Sequence, residues 1–254
     1  MGTFGSDLRY ALRMLKSNLG FTVTAVTALA LGIGATTAIF TVVNTVLLQP
    51  LPYPNPDRIM NVSRGFPGGG VGTSNSIPKY MVWRQNHVFE AMALYGQSGP
   101  GANLGTGDRP EQVKTLHASD GYFKVFGVSA LIGRTYSAAE DVPNGPNVAV
   151  IAYALWQSHF GGDPGILGRA IKLNGEPYTV IGVLSRGFHP DPAADIWLPQ
   201  QADPNSTNQG HFLRVAGRLK PGVSLAAARA EMKIAGERFR AAYPKWMNDN
   251  ESVA

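Results

Sequence analysis

Forty consecutive residues, 17–56, carry no charged side chain. Within them Phe21 to Leu48 reads FTVTAVTALALGIGATTAIFTVVNTVLL. A helix of that length extends roughly 40 Å, against a hydrocarbon core of about 30 Å. It spans with tilt, or projects a turn into the interface. A soluble core helix rarely runs so far without a charge. We therefore read 20–50 as a transmembrane helix, 1–19 as its leader and 51–254 as a water-soluble remainder. A cleaved signal peptide is the rival, because Ala28-Leu29-Ala30 imitates a cleavage site. A signal's apolar core is about 7–15 residues, and this run continues well past Ala30.

The helix carries two small-residue stripes. Ala28, Gly32 and Thr36 share one face, and Ala30, Gly34 and Ala38 the next. Small residues at this spacing admit a second helix at close range. Seven threonines and Asn44 add groups that bond back to the backbone or across to a partner. Gly and Thr are also simply common in membrane helices.

Charge sets the orientation. Arg9, Arg13 and Lys16 precede the helix, and no positive charge follows it before Arg58. The positive-inside rule places the N-terminus in the cytoplasm and the bulk outside. Leu8, Leu12, Leu15 and Leu19 fall on one helical face with the three cations beside them. This pattern describes an amphipathic helix lying on the inner membrane surface against anionic head groups.

Of the formal charge of +5, Arg9, Arg13 and Lys16 less Asp7 account for +2, leaving +3 beyond the helix. That residue is too small and scattered for a nucleic-acid stripe. The absence of cysteine excludes disulfides, zinc–cysteine sites and thiol catalysis.

Beyond the helix, Pro50, Pro52, Pro54 and Pro56 form a stiff exit. Strands are expected at 58–63, 90–97, 111–118, 147–152 and 212–219. Helices are expected at 77–86 capped by Ser76, at 120–126 capped by Ser119 and ended by Gly127, and at 153–160 closed by Gly161-Gly162. Asn174-Gly175 between two apolar runs, 170–184, marks a tight hairpin. After a Pro221-Gly222 turn, Ser224 caps a last helix. Its stripe is Leu225, Ala228, Met232, Ala235 and Phe239, and Tyr243-Pro244 ends it. Residues 65–72 and 199–210 read as mobile loops. The pattern is α+β, with mixed or antiparallel sheets and short helices.

No Gly-Lys pair occurs, so no P-loop is present, and no nucleophile elbow of the Gly-x-Ser-x-Gly type exists. The histidines, His87, His117, His159, His189 and His211, lack metal-site spacing and read as loop or surface residues. No catalytic, metal or cofactor-binding residue stands out.

The order of segments resembles the MacB-like ABC transporter permeases, most closely the tandem-duplicated acidobacterial type. The resemblance rests on DLRYALRML (7–15), LALGIGATTAIFTVVNTVLLQPLPYPNPDRI (29–59), WRQNHVFE (83–90), ALWQSHFGGDP (154–164), LNGEPYTVIGV (173–183) and FLRVAGRLKPGVSL (212–225). It implies a first membrane helix followed by a two-lobed periplasmic core domain, one lobe from 57–118 with 212–254 and the other from 119–211. It implies an inner-membrane permease subunit, here cut before the later membrane helices. Such a subunit couples a cytoplasmic ABC ATPase to the periplasm for export or mechanotransmission. The implied partners are that ATPase, a second permease copy, a periplasmic adaptor and membrane lipid. ATP is used by the partner and no cofactor by this chain. An anchored periplasmic enzyme and an adaptor or binding domain are the competing classes.

Overall fold

The computed structural model describes residues 3–43, 53–97, 101–105, 111–246 and 251–253. It divides into two units, Met1–Leu51 and Pro52–Ala254. Asn44, Pro50, Pro52 and the end of the expected membrane helix lie outside the described residues.

The first unit is two helices, α1 (Thr3–Ser17) and α2 (Leu19–Val43), interrupted at Asn18. Backbone bonds bridge the interruption, Asn18 N to Met14 O at 3.2 Å and Thr22 N to Asn18 O at 3.0 Å. The single Thr22 hydroxyl proton is shared between Leu15 O and Asn18 O, 2.8 and 3.0 Å away. Leu19–Thr41 is long and apolar enough to cross a membrane.

In the second unit the elements follow as β1 (Ile59–Val62), β2 (Arg64–Gly65), β3 (Val71–Gly72), α3 (Ile77–Trp83), β4 (Phe89–Gly96), β5 (Gly101–Leu104) and β6 (Glu111–Ala118). Then come α4 (Tyr122–Phe126), β7 (Ala130–Gly133), β8 (Val148–Ile151), α5 (Tyr153–Phe160), β9 (Ala170–Leu173) and β10 (Glu176–Leu184). The series ends with β11 (Ile196–Pro199), β12 (Leu213–Leu219), α6 (Leu225–Ala242) and β13 (Ser252–Val253). The architecture is α+β, as expected.

A ten-stranded mixed sheet runs β1-β12-β4-β6-β11-β8-β10-β9-β5, with β7 beside β10. Strand β5 returns to pair with β6, Gly101 opposite Lys114. Six strands therefore close into a small barrel, β6-β11-β8-β10-β9-β5. Alternate residues fill it: Ala149 and Ile151 from β8, Ile171 and Leu173 from β9, Ile196 and Leu198 from β11. The residues between them point outward. Val148, Val150 and Trp197 meet Tyr122, Phe123 and Phe126 of α4. Strand β4 serves two cores by the same period of two. Its Ala93 and Tyr95 face α4. Its Met92 and Leu94 face α3 and α6.

Asn174 (φ 51°) and Gly175 (φ 90°) make the expected hairpin turn, with Leu173 opposite Glu176. Ser224 accepts a hydrogen bond from Ala227 N at 3.2 Å and caps α6. Ala228, Met232, Ala235 and Phe239 are buried. Leu225, at the helix's first turn, is 46% exposed and drops out of the stripe.

Three expectations are corrected. Ser76 precedes α3 without capping it through its side chain, and the helix stops at Trp83. Ser119 does not cap α4 either, since Gly121 holds that position. Its hydroxyl accepts from Leu94 N at 2.9 Å instead, because β4 needs a partner there more than the short helix does. The glycine-rich stretch 65–72 is ordered as a β2–β3 hairpin, joined by β13 in a three-stranded antiparallel sheet. Backbone pairing requires no side-chain periodicity, so composition concealed it.

The turn after β7 is held by one carboxylate. Glu140 receives two guanidinium N–H groups from Arg134, each at 2.7 Å, and the backbone N–H of Ser137 at 2.9 Å. The Arg134 guanidinium and then the Ser137 donors, outweighing partial burial, hold the Glu140 carboxyl down from 4.5 to about 2. A depressed carboxyl contributes stability above its unfolded pKa and loses it as pH falls through the folded value. The contribution should fade between pH 4.5 and about 2. Carboxyl NMR titration of the full chain should place Glu140 near 2 and Arg134→Ala should return it toward 4.5.

Candidate functional site

The small-residue stripes of α2 face outward. Ala28, Ala30, Gly32, Gly34, Thr36 and Ala38 are all exposed. A Cβ added at Gly32 or Gly34 would meet nothing within 4 Å. Thr24, Thr36 and Thr41 hydroxyls donate to the carbonyl four residues back, at 2.8–2.9 Å. These three hydroxyls are thus satisfied within the helix. Arg9, Arg13 and Lys16 are exposed on α1.

The core domain is pinned where the chain enters it. Pro56–Arg58 forms a single 3₁₀ turn leading into β1. Arg58 pairs with Glu90 of β4, and its Nε donates to Leu219 O of β12 at 2.8 Å. One guanidinium therefore ties the entry turn to two strands.

A second clamp holds β13. Lys79 of α3 and Glu251 form an ion pair with side chains 0% and 4% exposed. The Lys79 ammonium lies 5.7 Å from the Phe239 ring centroid and 3.4 Å from His211 Nε2. Arg240 Nη2 donates to Glu251 O at 2.7 Å. Gly236 admits the strand to α6: a Cβ there would stand 2.9 Å from Val253 Cγ2. Burial pushes the Lys79 pKa down, and the Glu251 carboxylate opposes that. Burial, then Arg64 and Lys79, push His211 down. Nothing in the sequence pointed to Lys79 and Glu251, which are 172 residues apart.

Two of the histidines come together. His117 and His211 line a cavity of about 520 Å³ with Gln97 and Gln200. His117 lies inside β6 rather than in a loop, its Nδ1 3.2 Å from Pro199 O. His159 pairs with Glu111 at 2.6 Å on the surface. Among the described residues no three His, Asp or Glu side chains gather as a metal site. The phenols of Tyr80, Tyr122 and Tyr136 are pushed up by burial. Those shifts belong to packed core residues.

The described residues thus give an apolar helix and an α+β domain. The MacB-like periplasmic core domain family matches residues 22–235, and the chain belongs to it. It is a domain of an ABC transporter permease and not a catalytic one. No curated protein matched the sequence. A domain of a protein described as a permease, from Porphyromonas gingivalis, superposes with a TM-score of 0.60 at 18% identity, covering 80% of this chain and 92% of that one. The extracellular domain of the ABC-type transporter YknZ from Gram-positive bacteria gives 0.55 at 14% identity, covering 77% and 100%. The periplasmic region of MacB from Actinobacillus actinomycetemcomitans gives 0.54 at 16% identity, covering 78% and 88%. At these identities the likeness is one of fold.

The Lys79–Glu251 clamp should behave as a coupled pair. Glu251→Leu alone leaves a buried ammonium without its counter-charge and should cost about 3–5 kcal/mol in urea unfolding of the full chain in detergent. The double variant Lys79→Met/Glu251→Leu should recover most of that loss. Additive losses would show that the two side chains do not interact.

Proposed function

We propose that this chain is part of a permease subunit that carries force between a cytoplasmic ABC ATPase and its core domain outside the membrane. The observation that carries the reading is the family match, which begins inside the apolar helix and runs through the core domain. In this reading α2 spans the inner membrane with α1 on its cytoplasmic side. Arg9, Arg13 and Lys16 rest on anionic head groups. The stripes Ala28, Gly32, Thr36 and Ala30, Gly34, Ala38 receive other membrane helices, from the same permease or a second copy. A periplasmic adaptor or an exported substrate meets the core domain, and ATP stays with the partner subunit.

Two lobes are proposed within the core domain, 57–118 with 212–254 and 119–211. In support, the buried residues of one hydrophobic cluster come from the first set, from Val62 through Leu94 to Ala235, with Ala202 of the other set packed at its edge. A second is built mainly from the other, with Ala102, Leu104 and Val113 contributed by β5 and β6.

The natural absence of cysteine makes the orientation easy to test. In spheroplasts, Asn205→Cys should react with a membrane-impermeant maleimide, and Ser17→Cys only after permeabilisation. The reverse pattern would sink the orientation. For the packing face, Gly32→Leu or Gly34→Leu should lower crosslinking of α2 to neighbouring helices while the core domain's melting stays unchanged. Undiminished crosslinking would remove the stripes from the interface.

A further inference from the structure

A cavity of about 380 Å³ opens beside the start of the core domain, lined among others by Pro54, Arg58, Glu90, Lys124, Gly127 and Arg218. Three of these residues are cations, and the lone carboxylate, Glu90, is already engaged by Arg58. Arg218 is only 4% exposed. Its Nε donates to Val125 O at 2.8 Å and to Lys124 O at 3.2 Å, closing the end of α4. Its Nη2 is buried and has no hydrogen-bond partner among the described residues. A buried guanidinium N–H without an acceptor is costly, and an anion is an acceptor that matches both its geometry and its charge. The position is also electrostatically unfavourable as it stands: burial, and then the neighbouring Arg58, push the Arg218 pKa down. Gly127 keeps the space open. It adopts φ +64°, and a Cβ there would sit 3.3 Å from Arg218 Nη2 and 3.1 Å from Pro54 Cγ.

We propose that this cavity binds a phosphate-type anion, with Arg218 Nη2 as the buried donor and Lys124 and Arg58 at its mouth. A guanidinium suits the oxygens of a phosphate geometrically as well as by charge. The cavity is far larger than one ion, so it has room for a phosphate carrying a substituent. Two sources share that chemistry, free phosphate and the headgroup of an anionic phospholipid. The inference does not depend on the transport reading.

The test uses the full chain in a neutral detergent. Its melting temperature is followed against sodium phosphate, with sodium chloride at matched ionic strength as the reference. A saturable rise with phosphate is expected. Losing one charge-assisted hydrogen bond weakens binding about tenfold or more. Arg218→Gln should do this, and so should Lys124→Gln, an exposed site that leaves the core intact if the first variant fails to fold. Nanodiscs of phosphatidylcholine alone, and with added phosphatidylglycerol, then separate the sources. Phosphate affinity at least tenfold lower in the anionic discs supports the proposal with a headgroup as occupant. Equal affinity in both supports it with free phosphate. No saturable response beyond chloride, or binding undiminished in both variants, overturns it.

Discussion

Strand β4 is buried on both faces, and the arrangement of the core domain depends on that. A strand with one wet face needs a single core, but β4 must be covered twice. Met92 and Leu94 turn to the layer made by α3 and α6, while Ala93 and Tyr95 turn to α4. Its neighbour β12 follows suit, with Val215 on the first side and Ala216 on the second. A one-residue slip of β12 would exchange its two faces and turn Arg214 and Arg218 onto the side where Leu213, Val215 and Leu219 now pack. The register, Val215 opposite Leu94 and Gly217 opposite Met92, is therefore fixed from both sides. Phe89 reinforces it by lying over Gly217, where a Cβ would come within 2.5 Å of the ring.

What was legible in the sequence had a local cause. Asn174-Gly175 announces a turn because both residues accept positive φ. Ser224 and the stripe through Phe239 announce α6 because cap and period are written within one segment. Strand β6 matched its expected limits because Glu111–Ala118 is bounded and β-prone. The missing parts have non-local causes. Ile196–Pro199 is four residues long, buried throughout and closed by proline, so no alternation marks β11. Gly101–Leu104 becomes β5 only because the barrel needs a strand between β9 and β6. The β2–β3 hairpin is built from backbone where composition reads as loop. The Lys79–Glu251 and Arg58–Glu90 pairs join residues distant in sequence, and charges so spaced are indistinguishable from solvated surface until the fold exists.

The two clamps differ in kind. Arg58 and Glu90 are each about a quarter to a third exposed, so water screens their attraction and their value is chiefly geometric. Lys79 and Glu251 are out of water, where an ion pair barely offsets its desolvation but a lone charge is severely penalised. Such a pair is a poor source of net stability and an effective switch of state. Removing either partner would leave the other buried alone.

That distinction bears on how motion could enter the domain under the proposed function. The two pinned segments lie on opposite faces: the turn before β1 is on the α4 side, where Tyr53 meets Phe126 at 5.2 Å between ring centroids, and β13 is on the side covered by α3 and α6. The barrel lies beyond β4. Among the described residues β4 and β6 share one register pair, Tyr95 opposite Ala118, extended by Ser119 N donating to Leu94 O at 2.8 Å, a thin connection for a sheet. The rest of the junction is side-chain packing, with Tyr122 and Phe126 of α4 against Tyr95 at 5.3 and 6.0 Å between ring centroids. Packed cores shift between discrete arrangements rather than deform continuously. A displacement arriving through β1 or β13 would thus reach the barrel by moving α4 as a body. Arg218 grips the end of that helix by two carbonyls, which makes the cavity beside it the natural place for an occupant to stiffen or free the connection.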